Sequence, residues 1–454
     1  MPRVALLGVY FYFLIAAPVY SAEPQMPFET NAPFGDCGFL PPAGTYTGRL
    51  FHLSQQYPAE LPNMADRPLF FKIDFRTQWR DYLLAVRSYC FEGNVGDKDV
   101  ENDFAIENDK SAKWFHMPWQ HYGPFGREGI HGLTKEAPIQ PGQLASSQQS
   151  SGQTYAVAFY NRFGGYEIGQ VWKHHEQPEL HDIKFPVGTV EFKLLFADIP
   201  QQEVPFLAHP VVWQAYITKA FDSNDRTIKN LMLIQMDVMV RDDQSPGGWI
   251  FGTFQYNGVQ GKANPWENLV PVGIQWGDDP DVTENAANPQ PKQTIRNSTI
   301  KETIINDDDT ELPPTHLGWN GRLNGPVDNP QSSCMSCHAT AQVRVKSPLS
   351  PLFQPNPPIA GSEEWMRWFR NYKCGERFDA DVPSADFSLQ LAISVKNYQQ
   401  WRGEEHGIRT TNYAFQAKQQ SGNGLGSKFS DTLFENGVPI QQPRIQRDIQ
   451  QDDR

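Results

Sequence analysis

The chain has 454 residues, 39% of them hydrophobic, a mean hydropathy of −0.55 and a net charge of −13 from 39 Lys and Arg against 52 Asp and Glu. That length and composition describe a soluble globular protein with ample core for two or three domains. Its acidic balance repels nucleic-acid phosphates and anionic lipid, which leaves basic proteins as the favoured macromolecular partners.

The first predicted element is an export signal. Met1-Pro2-Arg3 carries one positive charge, residues 4–19 are almost wholly apolar, and small residues follow at Ser21 and Ala22. A charged head, an apolar middle and a small-residue end make a secretory signal peptide over 1–22, cleaved after Ser21 or Ala22. The run is short for an uncleaved anchor, and no other stretch approaches membrane-spanning length. An exported chain with no integral membrane segment is expected.

Residues 23–45 are rich in Pro and Gly and form an extended lead-in. From there to about 310 the pattern reads as a β-rich domain. Strands are expected over 69–75, 82–91, 155–161, 164–172, 189–199, 210–218, 230–242 and 248–258, separated by Gly, Pro, Asn and Asp. Met232, Ile234, Met236, Val238 and Val240 alternate as one buried face requires. Antiparallel strands at this spacing predict a β-sandwich or barrel-like domain. The acidic, polar stretch 92–113 reads as a surface loop.

The segment 114–138 is the densest aromatic and histidine cluster in the chain, with His116, His121 and His131 beside Trp114, Trp119, Arg127 and Glu128. Its prolines and glycines forbid a long helix. It is either a pocket wall offering ligands and acid/base groups or a loop packed over the core with its histidines hydrogen-bonded, the more frequent outcome. His174, His175 and His181 sit in a charged turn and read as surface groups. Asp307-Asp308-Asp309 lacks the spaced oxygens and glycine of a calcium loop and reads as solvated charge. The polar stretch 277–314 marks the domain boundary.

The C-terminal part, 315–402, contains Cys334-Met335-Ser336-Cys337-His338. Cys-x-x-Cys-His is the attachment motif of c-type haem. Two thiols three positions apart reach the two vinyl groups of one porphyrin, and the next imidazole binds the iron. A zinc site wants a second closely spaced ligand pair, and Cys37, Cys90 and Cys374 are each isolated. A thioredoxin-like pair wants a βαβ setting. With two thiols given to haem, two of the remaining three can pair in an oxidising compartment, Cys37–Cys90 being favoured because both lie in the N-terminal region. Two helices follow the motif. One runs from Ser362 to Gly375 with Trp365, Trp368, Phe369 and Tyr372 on one face; the other spans 384–401 and buries Phe387, Leu391, Val395 and Tyr398. Residues 403–454 form a polar tail without regular structure.

The stretch SSCMSCHATAQ resembles the haem-binding segment of c-type cytochromes, and the layout is similar to large single-haem cytochrome c family proteins. The resemblance covers the motif and, loosely, 315–402. It implies one haem c held by Cys334 and Cys337 with His338 as axial ligand, in the periplasm. The expected fold is α+β, a β-sandwich-like domain followed by a small helical cytochrome c-like module. Met366 is the only methionine after the motif and is the candidate distal ligand, nearer to the motif than is usual in small cytochromes; His316 and the 116–131 histidines are the others. An electron carrier with a redox partner protein is the favoured function. The alternatives are a peroxidase- or oxygenase-like haem enzyme with an open distal site near His116, His121, Arg127 or His131, and a haem sensor.

Overall fold

The computed structural model describes residues 39–51, 55–95, 114–120, 127–174, 177–218, 225–284, 290–344, 346–405, 432–435 and 438–441. The expected signal peptide, Cys37, His121 and His175 lie outside these residues, as does most of the 92–113 loop. The described chain is α+β: a large antiparallel sheet with few helices.

Nine strands build that sheet: β1 Trp114–Phe115, β2 Thr134–Ile139, β3 Gly152–Asn161, β4 Val190–Ala197, β5 Val212–Thr218, β6 Arg226–Arg241, β7 Trp249–Tyr256, β8 Leu269–Gln275 and β9 Thr303–Ile305. They run in the order β3-β4-β6-β7-β8-β9, with β1 and β2 sharing one edge of β3 and β5 lying beyond β4 along the long β6. The nine form one sheet, not the two packed sheets of the expected sandwich. The second sheet is not needed, because the C-terminal third of the chain covers the face it would have covered.

Residues paired across neighbouring strands share a face, so the register sorts the sheet into two sides. On one side lie Phe192 and Leu194 of β4, Met236 and Val238 of β6, and Gly252 and Phe254 of β7. Helix α1, Trp79–Phe91, packs here through Tyr82, Leu83, Val86 and Cys90. A Cβ on Gly252 would fall 2.4 Å from a Leu83 methyl, so only glycine lets the helix sit this close. On the other side lie Glu191 and Lys193, Asp237 and Met239, Phe251 and Thr253, and Gln275. Residues from both sides of the 311–314 junction join in one apolar cluster on this face, among them Met239, Trp249 and Phe251 with Met335, Cys337 and Phe387. Burial on both faces explains why β4, β7 and β8 are buried along their whole length.

Three expected strands are helical. Residues 82–91 belong to α1, where Tyr82, Leu83, Val86 and Cys90 follow helical spacing. Residues 69–72 form a 3-10 turn. Residues 164–171 belong to helix α2, Arg162–Val171, capped by the Asn161 side chain; Gly164 and Gly165 let it lie against Tyr160 and Phe115. In each case aromatic and β-branched content outweighed spacing. Conversely, β2 and β9 arise where loop or boundary was expected, and β8 in a stretch for which no element was named. The helix expected over 362–375 is a single turn, α4 Glu363–Met366, although Trp365, Trp368, Phe369 and Tyr372 are all buried as that face required. The last helix is α5, Leu389–Glu405. In the tail, Thr432–Glu435 pairs with Val438–Gln441 as an antiparallel ladder, β10 and β11; the rest of 406–454 lies outside the described residues. Cys374 lies between Arg241 and Asp386, and the expected Cys37–Cys90 pairing rests on Cys37, outside the described residues.

Candidate functional site

The Cys-x-x-Cys-His residues form one helical turn of their own, α3 Cys334–His338. Ser333 starts it with an extended backbone and accepts the Ser336 N–H at 2.9 Å, while Ser336 Oγ accepts the Ser333 N–H at 2.7 Å. This reciprocal cap satisfies donors that a five-residue helix cannot satisfy internally. The Ser333 hydroxyl donates in turn to the Asp278 carboxylate, to which Gln275 Nε2 also donates at 2.9 Å. Gln275 Oε1 accepts the Met335 N–H at 3.3 Å. The end of β8 thus grips the N-terminus of α3. Burial pushes the Asp278 carboxyl up to about 7, against the opposing pull of Arg322. Ser333→Ala is expected to cost about 1–2 kcal/mol, because the cap is lost and Asp278 loses a donor. Urea denaturation of the two proteins side by side measures it; coincident midpoints would mean that the cap holds nothing.

Cys334, Cys337 and His338 line a single pocket, whose space is about 590 Å³ with its open mouth included. Across from α3 its walls are the sheet residues Glu191, Lys193, Asp237, Met239 and Phe251. The Phe251 ring lies 5.1 Å from the His338 imidazole, centroid to centroid. His338 Nδ1 meets the Phe387 carbonyl at 2.8 Å, so it is the nitrogen that carries the proton. Nε2 then keeps its lone pair and has no hydrogen-bond partner among the described residues. Burial lowers the His338 pKa to about 4, so the ring is neutral at pH 7.

The carbonyl that orients His338 is itself held in place. Asp386 and Phe387 have φ of 49° and 66°, a left-handed corner that costs non-glycine residues energy and persists only where the surroundings impose it. The buried Asp386 carboxylate imposes it by accepting from Phe185 N at 2.7 Å, Gly375 N at 2.8 Å and Trp249 Nε1 at 3.2 Å. Three separate segments therefore fix the imidazole's tautomer through one backbone oxygen.

The sheet wall is electrostatically unusual. Lys193 Nζ lies 3.4 Å from Glu136 Oε2 and 3.8 Å from Asp237 Oδ2. Glu191 is buried on the same face, and its Oε2 has no hydrogen-bond partner among the described residues. Burial pushes Glu191 and Asp237 each up to about 7 and raises Glu136; Asp328 adds to the rise of Asp237 and Glu136, those two add to that of Glu191, and Lys193 opposes all three. Asp237 and Asp328 join burial in holding the Cys334 thiol in its protonated form.

The other expected site residues are elsewhere. Met366 is buried in the apolar cluster under α4 and does not line the pocket. His316 is buried, its Nε2 2.9 Å from the Pro326 carbonyl. His116 is buried with Nδ1 3.3 Å from the Ala158 carbonyl. His131 stacks on Trp213 at 4.4 Å in the core on the opposite side of the sheet, where burial drops its pKa to about 3. Arg127 is buried away from the pocket, and Glu128 accepts the N–H groups of Ile130, His131, Leu133 and Tyr216. The described part of the 114–138 cluster is thus a packed corner. His174 and His181 are exposed, and Asp308 caps its own turn through Thr310. Among the described residues, no group of three or more His, Cys, Asp and Glu side chains is arranged to hold a bare metal ion.

Sequence reading missed the sheet's contribution: Glu191, Lys193, Asp237, Met239 and Phe251. Its signal was charged residues set within otherwise apolar stretches, Glu191 and Lys193 in VEFKLLF and Asp237 in LIQMDVMV. The donor set fits a covalently held haem, with two thiols one helical turn apart and a neutral, oriented imidazole opening on the same pocket. Comparison with protein-family models, with curated proteins and with solved structures found no match.

Proposed function

We propose that the protein is an exported c-type haem protein that carries electrons, with one haem bound through Cys334 and Cys337 and with His338 as an axial ligand. The observation that carries the reading is the convergence of both cysteines and the oriented His338 imidazole on one pocket. Each thiol adds across a vinyl group: an S–C bond replaces S–H, the hydrogen goes to the neighbouring carbon, and no electrons are gained or lost. The group so held supplies a one-electron couple. The chain's own residues do the rest. Phe387 fixes the imidazole, Phe251 packs against it, and the β6–β7 wall keeps the site partly dry. The segment 315–402, with α3, α4 and α5, is the counterpart of the cytochrome c-like module in this reading.

Electron transfer is favoured over catalysis because His116, Arg127 and His131, the described groups that an open distal site would use, lie outside the pocket. The acidic surface suits a basic redox partner, and the N-terminal signal a periplasmic address. Expression of the full chain with cytochrome maturation machinery tests the proposal. The expected product is coloured, its mass raised by one haem that survives acid–acetone extraction, and Cys337→Ser loses the double thioether attachment. A colourless wild-type protein with both thiols unmodified by mass would overturn the reading.

A further inference from the structure

We infer that Met239 is the second axial ligand of the haem iron, supplied by the sheet and not by the segment after the motif; the inference rests on the haem reading above. Met239 lies on β6, is 3% exposed, and lines the same pocket as Cys334, Cys337 and His338. Its register partner on β7 is Phe251, the residue whose ring packs on the His338 imidazole. On its other side it pairs with Glu191 of β4, so its backbone is held by strands on both flanks. A ligand on a doubly paired strand has little freedom to drift, which is what a fixed coordination bond requires.

The other donor atoms around the pocket serve less well. Met335 sits between the two cysteines but does not line the pocket, and neither does Met366. Met236 lies on the opposite face of β6, in the core under α1. Among the described residues, Met239 is therefore the one thioether on the pocket wall. Lys193 also lines it, but its ammonium is held between Glu136 and Asp237. The remaining wall groups are amide and carboxylate oxygens, harder donors than sulfur. A neutral thioether needs no proton removed before it binds. Ligation by Met239 would close the site to small ligands and raise the potential, both consistent with an electron carrier.

The test uses the haem-loaded full chain as wild type, Met239→Leu and Met239→His. Leucine nearly conserves volume, so the fold is kept, and circular dichroism with a thermal melt verifies this. The wild type is expected to be low-spin with the near-infrared charge-transfer band of a methionine–iron bond, and its ferrous form to ignore carbon monoxide. Met239→Leu is expected to lose that band, become high-spin and bind carbon monoxide. Met239→His is expected to return to low spin without the band and at a lower potential. A Met239→Leu protein that keeps the band and still excludes carbon monoxide would overturn the assignment. A haem-bearing wild type that is high-spin and binds carbon monoxide would overturn it too, while leaving covalent haem intact. A wild type without covalent haem would remove both.

Discussion

Replacing Arg322 with alanine is expected to cost about 4 kcal/mol of stability, the largest single-residue loss in the C-terminal third. Arg322 is fully buried. Its guanidinium donates to the carbonyls of Asp278 at 2.7 Å, Trp319 at 3.1 Å, Asp279 at 2.8 Å and Val282 at 2.9 Å. It lies between the rings of Trp319 and Phe369, 4.8 and 4.9 Å from their centroids. Alanine removes a cation that favours the ionised form of buried Asp278, strands four carbonyls and opens a cavity between two aromatic rings. Because Asp278 receives the cap of α3, the damage reaches the thiols. Tryptophan-monitored urea denaturation reads it out, and a loss below about 1 kcal/mol would contradict this account. Arg322→Lys keeps the charge without the planar fork and is expected to recover only part of the loss.

Lys193→Met is expected to destabilise the haem-free chain by about 3 kcal/mol at pH 8 and by far less at pH 5. Lys193 is the cation between Glu136 and Asp237, with Glu191 close by. The sign follows from proton binding. Glu191 and Asp237 have folded-state pKa values pushed up to about 7, above the ordinary carboxylate range. Between about pH 4.5 and 7 the folded state therefore binds more protons than the unfolded state, and stability falls as pH rises through that window. Removing the ammonium raises the folded-state values further, so in the variant the fall continues above pH 7. At pH 5 the acids are neutral in both folded proteins and the two stabilities converge. Melting temperatures at pH 5, 6, 7 and 8 measure this; a difference independent of pH would mean that lost packing, not charge, sets the cost.

How much of this was legible in the residues depends on whether the signal is local. The grouping of Cys334, Cys337 and His338 was legible because it depends only on spacing within five residues. The alternation of Met236, Val238 and Val240 identified one face of β6, but a register shift at 233–235 puts Leu233 on that face and turns the half-buried Met232 off it. Its other face was not legible: Asp237 and Met239 look like solvent positions until one knows that residues 315–400 cover them. Tyr82, Leu83, Val86 and Cys90 satisfy helical spacing, but the run around them is rich in residues that also favour strands, and composition prevailed over period. Met366 attracted notice through proximity in sequence, whereas the thioether on the pocket wall lies far upstream. The histidines of 114–138 resembled a site because costly side chains were concentrated there; His116 and His131 are instead packed into the interior.

The pocket has two halves distant along the chain, strands β4, β6 and β7 on one side and the turn of α3 with Asn324, Asp328, Leu389 and Gln390 on the other. Neither half encloses anything alone. Once they meet, Cys337 is 6% exposed and the neighbouring thiol is half covered. Any reagent or enzyme that must grasp these sulfurs works fastest on a nascent chain whose last third has not yet docked, and afterwards only through rare opening of that segment. Timing, and not affinity alone, therefore governs modification at this site: the folding rate of the sheet sets how long the thiols stay within reach.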